Sequence, residues 1–130
     1  MPKAPVLPAA GEPGDLLTLA ITAVEEGECL EGVDFVGQTV TGEDFGELEL
    51  SGCRFVRCRL TGCSFAAATL RDVIFQDCDL SQCRFTKASL TRCALEDCKV
   101  LGADFSGAAL RDGVFSRCRL DLANCNAAAL

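Results

Sequence analysis

Ten cysteines and nineteen carboxylates carry whatever chemistry this chain of 130 residues could perform, and they do so without a single histidine. Histidine is the easiest general base and the commonest metal ligand, so its absence weighs against catalysis from the outset. Thiols can hold metal, cross-link or attack. A zinc site draws thiolates from short-spaced pairs that converge on a tetrahedron, whereas Cys58, Cys78, Cys98 and Cys118 recur every twenty residues. A secreted disulfide scaffold would bring irregular spacings and a signal peptide, and neither is found. The longest apolar stretch, Leu16 to Val24, is too short to span a bilayer and follows Glu12 and Asp15 where a signal would be basic. Reduced thiols in a cytoplasmic protein are expected, with cysteine used as a small buried hydrophobe. Paired acids for glycoside chemistry need an apolar cleft to raise one pKa, and the glycines lead into no helix that would complete a phosphate loop.

The elements that must position these residues follow from a period of five. Stepping by five from Leu30 meets Phe35, Val40, Phe45, Leu50, Phe55, Leu60, Phe65, Leu70, Phe75, Leu80, Phe85, Leu90, Leu95, Val100, Phe105, Leu110, Phe115, Leu120, Cys125 and Leu130, and all eight Phe of the chain fall in that register. Once one Phe is placed, chance would align the other seven about once in a hundred thousand trials. Two residues before each centre runs a second column of small residues, Cys53, Cys58, Cys63, Ala68, Val73, Cys78, Cys83 and Ala88 among them. One large and one small inward side chain per five residues fill a narrow tube only if the chain turns a corner at each unit and stacks its coils. Gly52 and Gly62, two residues after a centre, suit corners of positive φ.

In Leu-Ser-Gly-Cys-Arg-Phe at 50–55 and Gly-Ala-Asp-Phe-Ser-Gly-Ala-Ala-Leu at 102–110 the sequence resembles the pentapeptide-repeat family. The unit of that family is a small residue, a polar residue, Leu or Phe, and two variable residues. The likeness covers residues 30–130 and departs from the unit at Gln38 and Glu43, which stand where small residues belong. It implies an all-β fold, a right-handed quadrilateral β-helix with four units per coil and about five coils. Residues twenty apart would then lie above one another at about 4.8 Å. Stacked thiols at that spacing are too far apart for a disulfide, whose Cβ atoms lie about 3.5–4.5 Å apart. Under the same register eight outward charge pairs are opposite in sign, from Asp34 with Arg54 to Arg92 with Asp112, and two are alike, Asp77 with Asp97 and Lys99 with Arg119. Such complementarity supports stacking.

The expected structural core is Phe35, Phe45, Phe55, Leu60, Phe65, Leu70, Phe75, Leu80, Phe85, Leu90, Leu95, Phe105, Leu110, Phe115 and Leu120. Residues 1–14, with four Pro and two Gly, read as a flexible arm. Residues 15–29 read as a capping segment, either a short helix with Asp15 as its N-cap or a strand added to the first coil. Residues 30–130 form the β-helix.

A filled tube offers no pocket for an enzyme, so the expected function is a non-catalytic scaffold working through its outer faces, with no cofactor and no metal. Some proteins of the family are similar to DNA in shape and charge and protect or inhibit type II topoisomerases. The resemblance therefore implies an alternative: a DNA-mimicking regulator of DNA gyrase that confers quinolone protection. The net charge of -7 fits that alternative only in part. Residues 1–49 hold eleven acids against Lys3, whereas residues 50–130 hold eight acids and eleven bases. The partner is expected to be a protein, with DNA gyrase as the candidate, and neither nucleic acid nor membrane. A homodimer through the C-terminal coil is also expected, with Phe115, Leu120, Cys125 and Leu130 as the candidate interface.

Overall fold

The computed structural model describes Pro5 and residues 12–124. Eleven short strands and one helix follow in the order β1 (Glu12–Pro13), α1 (Leu16–Glu26), β2 (Cys29–Glu31), β3 (Val33–Val36), β4 (Glu49–Ser51), β5 (Arg54–Val56), β6 (Thr69–Arg71), β7 (Ile74–Gln76), β8 (Ser89–Thr91), β9 (Ala94–Glu96), β10 (Ala109–Arg111) and β11 (Val114–Ser116). Two parallel sheets result, one of six strands in the order β1-β3-β5-β7-β9-β11 and one of five in the order β10-β8-β6-β4-β2. Their register is the twenty-residue step, with Phe35 opposite Phe55 and Leu50 opposite Leu70. Two further walls are joined by single bridges, Thr39–Arg59–Asp79–Lys99–Arg119 and Asp44–Ser64–Arg84–Asp104–Asn124. The chain is thus a right-handed four-sided β-helix.

Large centres fill the tube as ladders. Phe35, Phe55 and Phe75 stack at centroid distances of 4.8 and 4.6 Å, and Phe45, Phe65, Phe85 and Phe105 at 5.3, 5.2 and 5.0 Å. Each fully buried Phe or Leu removes from water apolar surface equivalent to about 1.5–3 kcal/mol. Where Leu95 interrupts the first aromatic ladder, Phe115 loses its stacking partner. Its ring instead meets Phe105 edge-on across the tube, at 5.9 Å and 73°.

Corners are set by stacking more than by residue type. The residue two after the centre has positive φ at Gly52 and Gly62 as expected, but twelve non-glycine residues from Glu47 to Leu122 do so as well, with φ between 52° and 64°. Left-handed backbone costs a residue with a Cβ about 1–2 kcal/mol. The corner N–H groups donate to the coil above, Arg57 to Gln76 O at 2.9 Å and Ala67 to Thr86 O at 2.9 Å. Those bonds hold the conformation against its cost.

The N-terminal end is covered by a helix, one of the two alternatives for residues 15–29, and by a strand from the residues before it. Within the expected arm of residues 1–14, Glu12 and Pro13 pair with Val33 and Asp34 as β1. Helix α1 follows, its Asp15 cap accepting from Thr18 N at 3.1 Å, and it ends at Gly27 in left-handed geometry. Leu16, Ala20 and Ala23 face the first coil and are buried. Gly14 joins strand to helix at a point where a Cβ would stand 2.4 Å from Leu19 Cδ1 and 2.8 Å from Val33 Cγ1, so a larger residue there would have to displace those side chains.

Candidate functional site

With centres and small residues turned inward, the remaining positions of each unit face solvent in ladders. Three of the eight opposite-charge pairs close as ion pairs: Arg54 with Asp34 at 3.4 Å, Arg92 with Asp72 through two bonds of 2.7 and 2.8 Å, and Arg117 with Asp97 at 2.7 and 3.0 Å. The Arg117 guanidinium holds the Asp97 carboxyl below the usual carboxylate range, and the Ser106 hydroxyl does the same for Asp104. By contrast, Arg57, Arg59 and Lys99 form no ion pair with a described residue. They border a groove of about 310 Å³ with Cys58, Cys78, Asp77, Asp79 and Asp97.

Toward the N-terminal coils the charge is mostly acidic, with Arg71 beside Glu31 and Glu49. Glu28, Glu47 and Glu49 line a groove of about 340 Å³ beneath Val24 of α1, and Glu31 and Glu49 line a neighbouring one beside Cys29. Ile21 and Val24 are exposed on the helix, and Val36 is exposed on the face of the six-stranded sheet.

All nine described thiols are free, and every one except Cys29 and Cys118 is buried. Each inward thiol donates to the carbonyl of the centre one coil below: Cys58 to Phe35 O at 3.2 Å, Cys78 to Phe55 O at 3.2 Å, Cys98 to Phe75 O at 3.3 Å and Cys118 to Leu95 O at 3.1 Å. Burial pushes Cys83 up to about 12 and Cys93 up to about 11. Cys78, flanked in its column by Cys58 and Cys98, is pushed up by its thiol neighbours and by burial. Among the described residues, no three His, Cys, Asp or Glu side chains gather as a metal centre.

Of the expected core, Phe35, Phe45, Phe55, Leu60, Phe65, Leu70, Phe75, Leu80, Phe85, Leu90, Leu95 and Phe105 are buried. The last coil differs. Leu110 and Phe115 are only partly buried and Leu120 is 42% exposed, because no described coil stacks above them. Within the candidate dimer interface, Phe115 and Leu120 therefore present some apolar surface, while Cys125 and Leu130 lie outside the described residues. Gln38 is the residue that sequence reasoning missed. Its amide donates to Gly14 O and accepts from Leu16 N at 2.8 Å, tying the cap to the first coil. The only signal was its departure from the repeat.

Comparison with known proteins gives one family and several structures. A family profile described as "Pentapeptide repeat region" matches residues 30–105. Two trypsin-treated forms of QnrB1, a plasmid-mediated fluoroquinolone resistance protein, are similar in structure. The first is 29% identical with TM-score 0.64, over 73% of this chain and 54% of that one. The second is 28% identical with TM-score 0.61, over 91% and 57%. The chain thus spans just over half the length of the QnrB1 chains it matches. Rfr23, a pentapeptide repeat protein of the cyanobacterium Cyanothece 51142, shares the fold at 15% identity and TM-score 0.54, over 87% of this chain and 94% of that one. No protein of curated function matches.

Proposed function

The chain belongs to the pentapeptide repeat family, and we propose that it acts without catalysis, as a scaffold whose outer walls hold a protein partner. One observation carries this reading: the centre and small columns are consumed by the core, so what varies along the sequence is displayed outward in ladders of fixed spacing. Recognition by such a rod depends on the order of its charges along each wall. The lower coils offer Glu28, Glu31, Glu47 and Glu49 to a basic surface, and acidic clustering of this kind steers association.

A second reading is favoured by the likeness to QnrB1, whose fluoroquinolone resistance suggests a type II topoisomerase such as DNA gyrase as the partner. In that case the acidic first coils would stand in for the DNA backbone. The body of the rod fits less well, since residues 50–130 carry eleven bases against eight acids. Gyrase supercoiling with and without a fluoroquinolone, at micromolar protein, separates the two. Inhibition or drug relief supports the topoisomerase reading, and no effect leaves the scaffold reading. Self-association through the C-terminal coil is part of the proposal, on the partial exposure of Phe115 and Leu120. Light scattering that finds a monomer at every concentration rules it out.

A further inference from the structure

We propose that the outer face of α1, with the acidic groove at its C-terminal end, docks a basic amphipathic helix of a partner protein. The inference rests on the scaffold reading and names the partner's chemistry at one face of it. Seven of the eleven residues of α1 are apolar, but only Leu16, Ala20 and Ala23 are buried. A second stripe, Leu17, Ile21 and Val24, runs beside the buried one at the i, i+4, i+7 spacing of a single helical flank. Leu17 is partly buried, whereas Ile21 and Val24 are 48% and 44% exposed. The first stripe closes the tube, and the second is left for another surface.

Charge says what that surface is. Val24 opens onto the groove of about 340 Å³ lined by Glu28, Glu47 and Glu49, with no Lys or Arg in its lining. None of these three, nor Glu25 or Glu26, forms an ion pair with a described residue. The base nearby is Arg71, in the neighbouring groove with Glu31 and Glu49. Helix α1 also ends on Glu25 and Glu26 with no base in its last turn, which sets acids at the negative end of the macrodipole. Lys or Arg would be the stabilising choice there. Such a departure from a local rule, uncompensated within the helix, marks a surface that something else completes. The occupant is a helix whose apolar residues, three and four apart, pack on Ile21 and Val24 while its Lys or Arg side chains meet the acids and the helix end. Two α1 faces packed together would set Glu25 and Glu28 against their own copies, so like charges oppose a second copy of this chain in that place.

The full chain is titrated against a fluorescein-labelled peptide of about 14 residues, with Leu at helical spacing and Lys elsewhere, and followed by fluorescence anisotropy. A scrambled peptide of the same composition keeps the charge and loses the stripe. Ile21→Ser with Val24→Ser should weaken binding about tenfold, because two half-exposed side chains no longer become buried. Glu28→Gln with Glu47→Gln and Glu49→Gln should weaken it about as much and flatten its dependence on salt. Val114→Ser removes an exposed apolar side chain from the last coil and should change nothing. Every replaced side chain is exposed, so the circular dichroism of each variant should match the parent. Equal affinity for the scrambled peptide would reduce the site to a negative patch, as a stand-in for the DNA backbone requires, and would overturn the proposal. So would binding that both cap variants leave intact, or no binding to the unmutated protein. Light scattering in which Ile21→Ser with Val24→Ser alone splits the protein into smaller species would make a second copy the occupant and overturn it too. None of these outcomes touches the scaffold reading, which draws on the other walls and is tested separately by the supercoiling assay.

Discussion

Replacing Gln38 by cysteine makes the first coil conform to the repeat, since Cys58 stands one coil above in the same column. Consensus logic therefore expects the protein to become more stable. Its hydrogen bonds lead to the opposite expectation. The Gln38 amide serves Gly14 O and Leu16 N, two partly buried backbone groups at the start of the cap. A typical intramolecular hydrogen bond contributes about 0.5–1.5 kcal/mol net, and an orphaned buried group costs about 1–3 kcal/mol. Cysteine reaches neither group, so Gln38→Cys should destabilise by about 1–3 kcal/mol. The chain has neither Trp nor Tyr, so urea unfolding is followed by circular dichroism and extrapolated linearly. Hydrogen exchange should also quicken in α1, where local opening is detected separately from global unfolding. A variant as stable as its parent, with α1 exchange unchanged, would refute the bridging role of Gln38.

Phe75→Ala removes a fully buried ring stacked 4.6 Å from Phe55 and should cost about 3–5 kcal/mol; a loss under about 1 kcal/mol in urea unfolding would mean the ladder does not carry the core. Ala67→Gly relieves an exposed corner at φ 58° and should raise stability by about 0.5–1 kcal/mol, the left-handed penalty less the chain entropy that glycine adds. Thermal or urea scans showing a decrease would contradict the strain. Native-state alkylation mapped by mass spectrometry should reach exposed Cys29 first and Cys58, Cys78 and Cys98 only on unfolding. Rapid labelling of those three would show an open wall. Asp15, Asp97 and Asp104 are held low by Thr18, Arg117 and Ser106. Their contribution is present above the unfolded value of about 3.9 and is lost as pH falls through the lower folded values. Stability should therefore hold from neutral pH and fall below about pH 4; a midpoint of loss above about pH 5 would point to other groups.

Most of the fold was legible because one signal repeats. Eight Phe in one register specify the inward face, and the twenty-residue stack follows once four units make a coil. What escaped was whatever departs from the repeat. Gln38 looks like a defect in the pattern until Gly14 and Leu16 are seen against it. Positions such as Arg57 and Ala67 look unsuited to a corner, because residue preference says nothing of the inter-coil bonds that impose positive φ. Among the surface charges, twenty-residue register identified which could meet. It did not show which would close: Arg117 reaches Asp97, and Arg57 has no ion pair with a described residue. No motif marks a partner site, since every outward position obeys the same frame.

The corners have a further consequence for how such a rod tolerates insertion. Each unit turns the chain by one wall, and the inward columns read alike on all four. Five extra residues after Leu70 would keep every later centre inside, yet Phe75 would then lie over Leu60 instead of Phe55. All charges above would rotate by a quarter turn relative to those below. Twenty extra residues would lengthen the rod by about 4.8 Å and rotate nothing. Indels in units of five thus separate the durability of the tube from the message on its surface: the first changes little, while the second keeps its order only in steps of twenty.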